Sequence, residues 1–107
     1  MYKTGSINLA NTLIIPSEGF HPHNLDGKVT VEIWSDDINA AKVCTLQVSL
    51  SKVRWFNAKE NGTDITATLD AGDTNAVFLP VQVNPHGWFR ISIAAGATGT
   101  VNYIIHD

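Results

Sequence analysis

An all-β fold, an antiparallel β-sandwich or jelly roll of about seven to nine short strands, is predicted by three features of the 107-residue sequence. Apolar residues alternate with polar ones over short runs, the period-2 signature of a half-buried strand. Clusters of Gly, Pro, Asn and Asp separate those runs at short intervals. No segment carries a helical apolar stripe longer than one turn. One domain is expected, because a chain of this length buries roughly 65% of its extended surface around a single core.

The elements follow in order. Residues 1 to 10, with Ile7 and Leu9 as the first alternating pair, read as an N-terminal arm or edge strand, and residues 11 to 107 as the sandwich. Leu13-Ile14-Ile15 is cut off by Pro16, which cannot continue a central ladder, and a long loop is expected from Ser17 to Gly27. Val29, Val31 and Ile33 alternate with Thr30, Glu32 and Trp34 in a strand over Lys28 to Ser35. The stretch Asp36 to Ala41 is a connection with room for one helical turn. From Val43 to Leu50, Leu46, Val48 and Leu50 face inward and Thr45, Gln47 and Ser49 outward. Continuing that phase would bury Lys52 and Arg54, so either the strand ends near Ser51 or a one-residue bulge there resets the phase for Val53 and Trp55, and the reset is the favoured reading.

Asn61-Gly62 and Asp70-Ala71-Gly72-Asp73 mark turns on either side of the short run Ile65 to Leu69. Between Asn75 and Val83 the alternation puts Val77, Leu79, Val81 and Val83 inward, and Pro80 implies an edge strand or a break in pairing. The chain ends with Trp88 to Ala94 and Val101 to Ile105 around the connector Ala95-Gly96-Ala97-Thr98-Gly99, which suits a hairpin with a short loop.

Composition narrows the function. Seven basic residues are scattered singly against ten acidic ones, for a net charge of -3, so no stripe tracks a phosphate backbone and nucleic acid is not expected as a partner. The start lacks a basic-then-apolar leader and no run approaches the ~18 apolar residues of a membrane span, so a soluble chain made in a cytoplasm is expected. Cys44 is the only cysteine, which excludes an intrachain disulfide and reads as a buried thiol. Only 16% of residues are charged, a composition shared by surfaces that other subunits cover and by many small sandwiches.

No constellation for catalysis stands out, and no enzyme is expected. His21 and His23 flank Pro22, with His86 and His106 elsewhere, and loop capping accounts for them better than a zinc site of three or four converging ligands. Asp36-Asp37 and Asp70 with Asp73 do not match a calcium loop and fit turns; no cofactor or metal is expected. The aromatics carry more information. Trp34, Phe78 and Trp88 lie on the outward phase of their strands, and Trp55 next to Phe56 cannot share one side of a regular strand. Trp34, Trp55, Phe78 and Trp88 are therefore the candidate contact residues, for another subunit or for sugar rings.

The segment Pro85-His86-Gly87-Trp88-Phe89-Arg90-Ile91-Ser92-Ile93 through Gly99-Thr100-Val101-Asn102-Tyr103 resembles the small β-sandwich structural proteins of tailed-phage virions, of the head decoration type. In these a Trp-Phe-Arg strand leads through a Gly-Thr-Gly-type turn into a Val-x-Tyr strand. The resemblance implies a non-enzymatic virion protein, a homotrimer on the capsid lattice, with the major capsid protein or another virion subunit as partner. Residues 1 to 10 are then an arm reaching a neighbour, whose deletion is expected to leave the fold intact and abolish particle binding. The competing expectations are a carbohydrate-binding module using Trp34, Trp55 or Trp88, and a receptor-binding tip domain; a glycan is thus a possible ligand.

Overall fold

Eight strands of four residues or more build the body of the protein in the computed structural model, which describes residues 2–71 and 74–107, excepting the side chains of Tyr2 and of residues 74–81. They are β1 (Tyr2–Asn8), β2 (Ile14–Phe20), β3 (Lys28–Ser35), β4 (Lys42–Ser49), β8 (Thr66–Leu69), β9 (Thr74–Gln82), β10 (Trp88–Ile93) and β11 (Thr100–His106). Three two-residue strands, β5 (Phe56–Asn57), β6 (Lys59–Glu60) and β7 (Thr63–Asp64), lie in the excursion between β4 and β8. They account for the excess over the expected number, since two residues leave no alternation to detect.

One sheet has the order β1-β11-β3-β9; the other runs β2-β10-β4, with β5 and β8 both pairing to β4. Counting the eight longer strands alone, the orders are first-eighth-third-sixth and second-seventh-fourth-fifth, the two antiparallel sheets of a jelly roll. Except from β4 to β8, each longer strand is followed by one in the opposite sheet. The connectors are therefore arches over the ends of the sandwich.

This arrangement corrects the expected C-terminal hairpin. β10 pairs with β2 and β4, β11 with β1 and β3, and residues 94–99 cross between sheets. Alternation specifies which face of a strand is apolar but not which strand lies beside it. Phe89, Ile91 and Ile93 on β10 and Val101, Tyr103 and Ile105 on β11 are all buried, in one core with Val29, Val31 and Ile33 of β3, Cys44 and Leu46 of β4, and Ile15 and Phe20 of β2. Each large aliphatic or Phe side chain so buried contributes about 1.5–3 kcal/mol as an upper estimate. Ser35, also buried, donates to Thr100 O at 2.6 Å and accepts from Ile38 N at 3.0 Å, so its hydroxyl is satisfied.

Four further expectations need correction. β2 does not stop at Pro16: it continues to Phe20 as the sheet's edge strand, with residues 16–19 forming a bulge between the pairs Ile15↔Ile91 and Phe20↔Phe89. The following loop is thus only residues 21–27. Asp36 to Ala41 bends without a helical turn. There is no phase-resetting bulge at Ser51; β4 ends at Ser49, whose buried hydroxyl accepts from Ser51 N at 3.2 Å and Lys52 N at 2.9 Å and so turns the chain. Up to Ser49 the expected phase holds, with Leu46 and Val48 on the core side and Ser49 paired to outward Trp88 and buried only under the turn it caps, whereas Leu50 and Val53, expected inward, are exposed.

Residues 1 to 10 supply β1, paired to β11 along its whole length from Tyr2↔His106 to Asn8↔Thr100, with Leu9 in the core. β9 is the opposite edge of that sheet, and its register against β3 shifts between Val29 and Val31, facing the Pro80 region. The side chains of the expected inward set Val77, Leu79 and Val81, and the Gly72-Asp73 part of the expected turn, lie outside what the structure describes.

Candidate functional site

Three loops meet at one end of the sandwich: residues 21–27 between β2 and β3, residues 50–55 after β4, and residues 83–87 between β9 and β10. Gly27 locks the first to the third. It has φ +69, and a Cβ there would stand 1.9 Å from Val83 O, while Val83 N donates to Gly27 O at 2.9 Å. His23 N–H donates to the carboxylate of Asp107, tying the same loop to the end of β11. Burial raises the Asp107 pKa, but the hydrogen bonds and charge of His23 outweigh it and hold the carboxyl below its ordinary value. Gly87 N donates to Asn84 O at 3.0 Å and lies against Leu50, so the third loop abuts the second.

The 50–55 loop is shaped by serines. Ser49 caps its first turn, and Ser51 Oγ accepts from Val53 N at 3.1 Å. Lys52 is held at φ 63, in the left-handed region that side-chain-bearing residues rarely adopt. That backbone places Lys52 Nζ 4.3 Å from the centre of the Trp88 ring, against which the His21 ring also stands edge-on at 5.2 Å.

Exposed apolar side chains gather here. Of five exposed large hydrophobic residues among the described ones, four belong to this end: Leu25 at 92%, Val53 at 82%, Leu50 at 73% and Phe56 at 61% of full exposure. The fifth, Val43, lies towards the other end of β4 at 45%. Phe56 pairs with Val48 across β4 and β5, and between Phe56, Leu50 and Trp88 runs a groove of about 350 Å³ with Arg54 at its wall. No residue lining it is acidic.

The candidate aromatics divide. Trp88 lines the groove. Trp55 lies nearby on the outer face of the β2-β10-β4 sheet, under Arg90 Cζ at 4.3 Å and against Gly19, whose lack of a side chain admits the ring to 3.0 Å of the Cβ position. Arg90 Nε also donates to Gln47 at 2.8 Å, and burial lowers its pKa from the ordinary value. Trp34 is on the other sheet, half-buried over a shallow depression with Thr4, Ser6 and Asn102, and takes no part in the loop end. The side chain of Phe78 lies outside the described residues.

No protein-family model matches the chain, and neither a curated protein nor a solved structure is significantly similar to it.

The loop end presents exposed apolar side chains with Lys52 and Arg54 beside them. Among the described residues no three of His, Cys, Asp and Glu converge as metal ligands would, and the buried thiol of Cys44 is in the core, away from the loops. Sequence reading missed Leu25, Leu50, Val53 and Phe56. The signal for the last three was the Ser-Leu-Ser-Lys tetrapeptide at 49–52, whose serines stop a strand and turn whatever follows to solvent.

Proposed function

We propose that the chain is a non-enzymatic attachment subunit that decorates a larger protein particle, docking through the loop end. The particle type is a tailed-phage virion, as the C-terminal segment suggests, with the major capsid protein or another virion subunit as partner and a homotrimer as the attaching unit after assembly in the host cytoplasm. The observation that carries this reading is the concentration of four of the five exposed large hydrophobics at one end of the jelly roll. Single exposed apolar residues are ordinary, whereas a cluster rimmed by polar groups marks a surface that another molecule covers. Jelly rolls serve in capsids and in lectins alike, so the fold is compatible with this use without selecting it.

The test uses particles from the source, purified on a density gradient and probed with an antibody against the chain. Wild-type protein added to depleted particles is expected to band with them, and the variant Leu50→Ser/Val53→Ser/Phe56→Ser to fall at least about tenfold in occupancy, equivalent to ~1.4 kcal/mol or more. Absence of the wild-type chain from the particles, or equal occupancy by the variant, rejects the proposal. Glycan binding is the second reading, favoured by the nearness of Trp55 and Trp88 to Arg90 and Gln47; Lys52 and Arg90 lie over the two rings and would have to move for a sugar to stack on those faces. Quenching of tryptophan emission by an oligosaccharide, with no particle binding, would replace the first reading with the second.

A further inference from the structure

The groove differs in charge from the molecule that carries it. The chain is acidic overall, at -3, yet the groove between Leu50, Phe56 and Trp88 is walled by Arg54 and approached by Lys52, whose Nζ sits over the Trp88 ring. From Ser49 to Phe56 there is no acidic residue. The concavity also matters. A convex apolar tip serves for burial in a lipid surface, whereas a recess of about 350 Å³, near the lower end of the roughly 300–1,000 Å³ typical of ligand pockets, takes a discrete side chain. Buried aromatic or aliphatic anchors in such recesses carry most of the affinity of a protein contact, with charges at the rim steering approach and fixing register.

We propose that this groove binds an acidic peptide segment of a partner protein, seating one large apolar side chain between Leu50, Phe56 and Trp88 while flanking carboxylates engage Lys52 and Arg54. The inference rests on the attachment reading above and names the partner chemistry for its surface. Both cations are exposed and free to swing towards a carboxylate, and at Lys52 the cost of leaving the Trp88 face is small because cation–π contacts at exposed sites are weak. Attraction of this kind weakens as salt screens it.

Three fluorescein-labelled peptides of one length test it by anisotropy: a Phe-Leu pair flanked on each side by Asp-Glu, the same with Ser-Ser for Phe-Leu, and the same with Lys-Lys for each Asp-Glu. The first is expected to bind at least about tenfold more tightly than either other. Lys52→Gln/Arg54→Gln should weaken it about tenfold and flatten its salt dependence; Phe56→Ala should weaken it as much while leaving the salt slope, and Val43→Ala should change nothing. Circular dichroism of each variant shows that the fold is kept. Equal affinity for the basic peptide, or failure of all three to bind, overturns the proposal. So does binding to vesicles of anionic phospholipid in preference to the acidic peptide, or self-association in sedimentation that Leu25→Ser abolishes with no peptide bound. If the acidic peptide fails but particle occupancy still depends on Leu50, Val53 and Phe56, the attachment reading stands and only the peptide chemistry falls.

Discussion

Cys44 and Lys52 show how single residues record their surroundings. Cys44 is wholly buried, and desolvation pushes its thiol up to about 11 against a weaker opposing hydrogen bond from the Leu69 backbone. In the unfolded chain it ionises near its ordinary value of 9.0. Above that pH the unfolded state sheds the proton first, so stability from this group is complete below about pH 9 and is lost as pH rises towards about 11. Burial raises the Tyr103 pKa as well, which acts in the same direction. Urea midpoints are therefore expected to fall across that interval, and the fall to shrink in Cys44→Ala, with which the thiol is lost but a small apolar group is kept. Lys52 pays a local strain at φ 63 that Asn tolerates better, so Lys52→Asn is expected to raise unfolding stability by about 0.5–1 kcal/mol by urea titration while removing the cation over Trp88.

At the level of elements, the clearest strands in the sequence are those whose inward residues are uninterrupted. Val29, Val31 and Ile33 on β3, and Phe89, Ile91 and Ile93 on β10, are buried as their alternation requires. Misreadings fell where a hydrogen-bonding side chain or a bulge overrides pattern. Pro16 was a credible strand end, but an edge strand tolerates proline, and the four residues bulged from β2 leave the Gly19 surface that Trp55 covers. The same logic bears on β1. Its seven cross-strand pairs, together with Leu9 in the core and Ile7 packed against it, make it part of the sandwich, so removing residues 1 to 10 would leave β11 as a bare edge. That deletion is expected to destabilise the domain by about 3 kcal/mol or more, seen in a denaturant titration, and to promote aggregation. The earlier expectation of an intact fold took the segment for a free arm.

For the whole molecule, fold class was legible because period-2 patterning and frequent turns constrain it; strand order was not, because partners are selected by the way arches stack over a common core. The functional end was the least legible part. Its apolar residues lie up to 31 positions apart, Leu25 in one loop, Leu50 and Val53 in another and Phe56 on β5 directly after it, and only closure of the jelly roll brings them to one end. Trp88 was visible as an outward aromatic, yet its value to the site depends on Leu50, which period-2 reasoning pointed into the core, and on Lys52, whose approach to the ring is set by a loop turn that alternation does not encode.

The pairing of Tyr2 with His106 has a practical corollary. It brings both extremities of the described chain to the face that carries Leu25 and Leu50, since Asp107 is held by His23 of the 21–27 loop. Any appended polypeptide, whether an affinity handle or a fluorescent reporter, would emerge at the same end of the sandwich as the surface proposed to grip a partner. The asparagine-glycine hairpin tip at Asn61 and Gly62 offers a gentler place for a graft, because it projects from the excursion between β4 and β8 and lines no part of the groove.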